Sequence, residues 1–353
     1  MGASVIVILA GLKAAETLLI PFFLAAFLAI LCAPIVAWLT ARRVPTVVAV
    51  LLVVLILGAI STAVGAIVGG SVNNFVDALP RYQERLNHLG TRFDEVIAQL
   101  PVVLPEGSDT GEWLQAGRLL AFLGTGLKGL IGALQNTFLV ILTLVFMLLE
   151  ATSFPIKLRL AFGERTGSVE RFSAVAVQVQ RYLAIKTIMS LATGLFAGSW
   201  VAFVGLDFAV VWGLLAFLLN YIPTIGSVVA AIPAVLLALV QLGFWPAVLV
   251  GIGFLAVNVT FGNLVEPALM GRTLGLSTLV VFLSLVFWGW MWGTVGMLLS
   301  VPLTMMIKIF LENSEDLKWV AVLLDSGRAA ERRRRRRAKA AEVASSDEPA
   351  APM

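Results

Sequence analysis

Between residues 187 and 307 only three side chains carry charge: Asp207, Glu266 and Arg272. Their surroundings are apolar, and an ionisable group at membrane depth is a functional candidate by default. Glu266 is the candidate coupling-ion residue. It closes a long uncharged run just before Pro267, where a carboxylate can exchange a proton or a cation with water. Glu150 ends an earlier run and is a weaker candidate for the same work. Asp207 reads as a helix N-cap at an outer helix end. Arg272, Lys186 and Lys308 read as snorkelling bases that bury their stems and keep their charge in water.

The uncharged polar residues are more informative. Asn220, Pro223, Thr224, Gly226 and Ser227 interrupt one apolar run, while Thr294, Ser300 and Pro302 follow the interruption of another. Asn258 and Asn263 lie on the segment between, with Thr260 nearby. In lipid, backbone groups freed by a broken helix survive only where protein buries them or they line a cavity. Two Gly/Pro-interrupted hydrophobic segments in corresponding positions point to a transporter's substrate site. The strings I-G-S-V-V-A-A-I-P from Ile225 and V-G-M-L-L-S-V-P from Val295 read as a weak internal repeat. These ten residues, Asn220 to Pro302, are the substrate-binding candidates. Amides, hydroxyls and bare carbonyls suit a small uncharged polar solute. They suit a strong anion poorly, because no base lies among them.

No catalytic set is legible. A membrane-embedded enzyme needs a paired acid, a Ser–His couple or a metal cluster, but the chain has one histidine, His88, and one cysteine, Cys32. A G-x-x-x-x-G-K-[ST] phosphate loop is absent. No cofactor and no metal are expected, and energy would come from a gradient.

The elements that must hold these residues follow from composition. Of 353 residues, 59% are apolar and 13% charged, against about 25% charged in a soluble domain. Mean hydropathy is +0.97. The expected fold is an all-α polytopic membrane protein of about eight transmembrane helices, two of them Gly/Pro-broken helical hairpins that can re-enter on one side. Uncharged runs at 17–41, 44–70, 129–149 and 187–206 each fit the roughly 20 residues of one span. Run 1–12 is short for a span. Residues 209–242 and 275–310 read as the hairpins, because each interruption leaves arms shorter than a comfortable span, and 245–265 reads as a full span between them.

The chain then divides into transmembrane helices 1–3 over 1–70 and an extracytoplasmic amphipathic helical segment over 71–128, within which Pro80 starts a second helix. A fourth transmembrane helix follows over 129–153 and a cytoplasmic amphipathic helix over 154–181. The transport core with both hairpins occupies 182–312, and a polybasic disordered tail 313–353. Lys and Arg gather in cytoplasmic loops. Arg42, Arg43, the bases of 157–186 and the run Arg332 to Arg337 therefore place both termini inside. Tethered beside a membrane helix, the tail suits anionic lipid headgroups and not nucleic acid.

At these residues the chain resembles the autoinducer-2 exporter family of bacterial inner-membrane proteins. The resemblance lies in N-Y-I-P-T-I-G-S from Asn220, N-L-V-E-P-A-L-M-G-R from Asn263 and L-G-L-S-T-L-V-V-F-L-S-L-V-F-W-G-W from Leu274. It continues in G-M-L-L-S-V-P-L-T from Gly296, with earlier strings P-F-F-L-A-A-F-L-A-I-L-C-A-P-I-V from Pro21, R-R-V-P from Arg42 and L-P-R-Y from Leu79. It covers about 3–325. It implies an eight-helix homo-oligomer, pentameric as the family is understood, that moves a small quorum-sensing signal outward by an elevator-like motion. Some relatives look like sodium/proton antiporters, so a cation/proton antiporter using Glu266 is the alternative to an exporter of autoinducer-2. A membrane scaffold without transport is the remaining rival.

Overall fold

The computed structural model describes residues 2–98, 137–151, 153, 157, 168–223, 225–270, 276–313 and 318–324. Every regular element among them is a helix: α1 (Gly2–Ala14), α2 (Glu16–Ala41), α3 (Thr46–Ala98), α4 (Thr137–Ala151), α5 (Ser168–Val204), α6 (Ala209–Leu219), α7 (Gly226–Gln241) and α8 (Phe244–Val257). There follow a π-helical segment, π1 (Asn258–Val265), then α9 (Glu266–Met270), α10 (Thr278–Asn313) and α11 (Lys318–Leu324). The protein is an all-helical polytopic membrane protein. Among the described residues, five stretches are long and apolar enough to cross a bilayer: Glu16–Ala41, Thr46–Ser71, Val177–Val204, Phe244–Met270 and Thr278–Glu312. Phe138–Ala151, Ala209–Leu219 and Gly226–Gln241 are shorter apolar helices. Large apolar side chains stand outward, Leu55 at 72%, Phe203 at 83% and Phe310 at 80% exposure. Water would penalise such a surface, whereas lipid tails are as apolar as leucine.

Two boundaries differ from expectation. Pro80 does not start a helix; α3 runs unbroken through it to Ala98, although an interior proline removes one ladder hydrogen bond. The segment before residue 182 is not a separate amphipathic helix from Ser168 onward, because α5 is continuous over its 37 residues. Lys186 is therefore in mid-helix. Residues 99–136, most of 152–167, Thr224, Arg272 and the arginine tail lie outside the described residues.

The chain forms two compact units. One comprises 1–31, 152–185 and 269–353; the other comprises 32–151 and 186–268.

In the first unit the long helix α10 is two arms. Trp292 (φ −132°, ψ 23°) and Gly293 (φ 61°, ψ −143°) leave helical geometry, and the positive φ is where glycine is tolerated without a Cβ penalty. The Trp288 indole N–H donates to the Thr304 hydroxyl at 3.1 Å. Sixteen residues of straight helix would separate them by about 24 Å, so the second arm folds back on the first. The bend is held by the N-terminal helices. Trp292 donates to the Leu12 carbonyl at 3.4 Å, and Phe23 packs on its ring at 5.2 Å. The Lys13 ammonium lies 4.3 Å over the Trp290 ring, a cation–π contact.

In the second unit α6 and α7 are packed against each other, joined by a break at 220–225. The eleven residues of α6 rise about 16 Å, half the hydrocarbon thickness. A Cβ on Gly226 would run into the Leu219 carbonyl, and one on Gly296 would run into the Trp288 carbonyl. The two glycines aligned by the sequence repeat thus occupy equivalent places, each seating the second arm of its hairpin on the first.

Helix α5 carries Gly194-x-x-x-Gly198, and this small-residue face receives Gly213 of α6. Such spacing lets helix backbones approach closely in lipid. A Cβ on Gly213 would lie 2.8 Å from the Gly194 carbonyl oxygen. Gly213→Val should therefore force the helices apart, at a cost of about 1–3 kcal/mol. The expected result is a lower midpoint in a thermal melt of the purified protein; an unchanged midpoint would show that α5 and α6 separate without penalty.

Candidate functional site

The second unit contains a polar centre built from four elements. On α5, Lys186, Thr187 and Ser190 fall within one helical turn, and residues four apart share a face. Ser190 is fully buried and accepts a hydrogen bond from the Asn220 amide at 3.0 Å. Thr187 Oγ1 pairs with the Tyr221 hydroxyl at 2.8 Å. The break between α6 and α7 is thus fixed to α5 by two side-chain bonds. Ser227, in the first turn of α7, donates to Asn258 Oδ1 at 2.7 Å. Asn258 opens π1, and Glu266 follows its end. The Glu266 carboxylate accepts from the Lys186 ammonium at 2.7 Å. The circuit closes on itself: α5, the hairpin break, α7, π1, Glu266 and back to α5.

Lys186 is 4% exposed, and the side chains of Lys186 and Glu266 are 5% and 15% exposed. Lys186 is therefore not a snorkelling base. A lone buried charge costs several kcal/mol, and a partner at hydrogen-bond distance is what makes such burial tolerable. Lys308 is likewise buried rather than snorkelling, with its ammonium 3.9 Å from Glu312 one turn on. Asp207 is not the N-cap of α6, because Phe208 holds that position with φ 62°. Asp207 is a bracket instead: its carboxylate accepts from the Tyr82 hydroxyl, its carbonyl from the Trp212 indole, and its N–H donates to Gln241.

The π-helix has a local cause. Pro267 has no N–H, and its ring clashes with the carbonyl four residues back in an ordinary helix. Opening the preceding turns to i→i+5 bonding relieves this, and the Glu266 N–H bonds to the Phe261 carbonyl, five residues earlier. π segments occur mostly as short insertions, often at functional sites. Gly262 leaves room for the Asn258 amide. The Asn258 Oδ1 lies 2.9 Å from where a Gly262 Cβ would stand.

Of the residues singled out in the sequence, the structure brings Asn220, Ser227, Asn258 and Glu266 into this circuit. Gly226 is buried against Leu219, and Pro223 is half-buried in the break. Asn263 is on π1 but exposed. Thr294 is exposed beside Gly293, and Ser300, fully buried, donates to the Met297 carbonyl at 2.7 Å. Thr294, Ser300 and the buried Pro302 belong to the hairpin of the first unit, so the circuit is complete without them. Thr224 lies outside the described residues. Sequence reasoning missed Lys186, Thr187, Ser190 and Tyr221. It also missed Thr193, one turn beyond Ser190, whose buried hydroxyl is without a hydrogen-bond partner among the described residues.

Residues 3–316 match the family described as AI-2E family transporter. The chain belongs to that family. It is similar to the AI-2 transport protein TqsA of Escherichia coli (strain K12), 40% identical over 324 residues, which cover 90% of this chain and 92% of that one. It is 38% identical over 331 residues to the putative transport protein YhhT of the same strain, covering 94% of each. A putative transport protein of Borreliella burgdorferi (strain ATCC 35210 / DSM 4680 / CIP 102532 / B31) is 33% identical over 326 residues, 91% of this chain and 88% of the relative. This AI-2E family member is an integral membrane transport protein.

Two outcomes check the circuit. Lys186→Met or Glu266→Gln alone leaves one buried charge unpaired, a loss on the order of 3 kcal/mol. The double substitution should be far milder than the sum, and a double-mutant cycle of melting midpoints reads the coupling; additive losses would show that the pair is not coupled. Gly262→Ala should displace the Asn258 amide from Ser227. Adding Ser227→Ala to it should then cost almost nothing further, whereas a full extra loss would place that hydrogen bond elsewhere.

Proposed function

We propose that this protein is a secondary transporter exporting a small, polar, uncharged signalling molecule, with autoinducer-2 as the leading candidate. The observation that carries the reading is the charge-neutral circuit at the break of the α6–α7 hairpin. It offers amides and hydroxyls, and the charges of Lys186 and Glu266 cancel each other; one turn beyond Ser190 on α5, the buried Thr193 hydroxyl has no hydrogen-bond partner among the described residues. Unmatched polar groups in a buried site favour solutes that supply the missing hydrogen bonds. The name of the TqsA relative supports the choice of solute.

The hairpin-bearing core moves in an elevator-like, alternating-access cycle within a homo-oligomer, pentameric as the family resemblance implies. The membrane is the bacterial inner membrane. Both termini face the cytoplasm, where the arginine tail rests on anionic headgroups. A second reading, cation/proton antiport through Glu266, is favoured by the carboxylate's 15% exposure.

Proteoliposomes holding the purified protein test both. With an imposed proton or sodium gradient, saturable, protein-dependent movement of autoinducer-2 is expected, and Asn220→Ala together with Ser227→Ala should reduce it at least tenfold, the loss of about 1.4 kcal/mol of binding or more. Cation-dependent change of internal pH without movement of the signal would favour antiport, and Glu266→Gln should then abolish it. Neither response from folded, oligomeric protein would leave the scaffold reading in possession.

A further inference from the structure

Carboxylates that couple transport to a monovalent cation do so by meeting that cation directly, with hard oxygen donors around it. Glu266 closes the circuit that also holds Asn258, Ser227 and Asn220, and its side chain is 15% exposed. Its oxygen, however, is already 2.7 Å from the Lys186 nitrogen. An ammonium carries the same single charge as sodium and, like it, sits directly against a carboxylate oxygen. Neither residue has another ionic partner among the described residues, so the pair is neutral by itself. It joins two segments far apart in sequence, α5 and the end of π1, and α5 is continuous on both sides of Lys186. The ammonium is thus fixed in place by a rigid helix and buried with its partner.

We propose that Lys186 is a built-in counter-cation: its ammonium holds the place on Glu266 that a coupling sodium or lithium ion would take. Wild-type protein then neither needs nor binds sodium at this carboxylate. Removing the ammonium converts Glu266 into a monovalent-cation site. The inference rests on the transport reading and narrows it, since it argues against sodium coupling through Glu266.

The test uses full-length protein in detergent, melted in sodium chloride and in choline chloride at equal ionic strength. Wild type is expected to melt alike in both. Lys186→Gln and Lys186→Ala should melt higher in sodium, by on the order of 3 °C, because a ligand that binds only the folded state stabilises it. Adding Glu266→Gln to Lys186→Gln should erase the sodium response. Sodium-specific stabilisation of wild type would overturn the proposal. So would the absence of a sodium response in both single variants, or the failure of both to fold in either salt, since an external cation would then be unable to replace the ammonium. No solute movement is read, so loss of the exporter reading and loss of the counter-cation are told apart.

Discussion

A lysine ammonium and a glutamate carboxylate 2.7 Å apart in the interior of a lipid-facing unit impose a condition on everything around them. Each ion alone would have to be hydrated or neutralised; together they stay buried only while both helices hold their register. Lys186 is fixed by α5, and α5 is held against α6 by the close approach of Gly194, Gly198 and Gly213. Glu266 is fixed by π1, whose first residue is tied to Ser227. The hydrogen bonds from Asn220 and Tyr221 keep the hairpin break on the same turn of α5 as the lysine. The ion pair is therefore the point at which three independent packing decisions have to agree.

Both hairpins solve one problem in related ways. A helix that stops inside an apolar medium leaves carbonyls and N–H groups without partners. Each second arm begins so close to the end of the first that only hydrogen fits at the facing α-carbon, at Gly226 and at Gly296. The supports differ. The break after α6 is held by side-chain hydroxyls and amides. The bend at Gly293 is held by aromatic packing and a cation over an indole, with α1 and α2 as its partners. One break is thus tied by side-chain hydroxyls and amides, and the other bend by indole rings, one of them donating to a main-chain carbonyl.

Much of this was legible in the sequence. Uncharged runs marked the spans because charge is expensive in lipid. Gly, Pro and Asn marked the breaks because those residue types release or reshape the backbone. The repeat placed Gly226 opposite Gly296, and the structure gives them one role. Lys186 was misread for a definite reason. The apolar run starts at residue 187, so the lysine looked like a helix end where a base can reach water. α5 instead begins at Ser168, which leaves Lys186 in mid-helix. Its partner is 80 residues away, and no local spacing rule joins them. The available signal was balance: one base and one acid, each bordering a long run with almost no other charge. Pro80 was misread because proline favours a helix start but does not require one. Asp207 was misread because an acid before an apolar helix is usually a cap, whereas here the phenol of Tyr82 claims it.

The π-helical segment carries a further consequence, concerning insertions and deletions. In an α-helix each residue turns the chain by about 100°. The widened turns of π1 accommodate an additional residue, and so set the rotational phase at which Glu266 emerges. Loss of a single residue between 258 and 265 would make the helix more regular and yet turn the carboxylate to another face, away from the lysine. Substitutions at the exposed positions of the span, such as Leu249, Ile252 and Leu255, are absorbed by lipid. The length of this segment is not, so a change in the count of residues there is more damaging than a change in their identity.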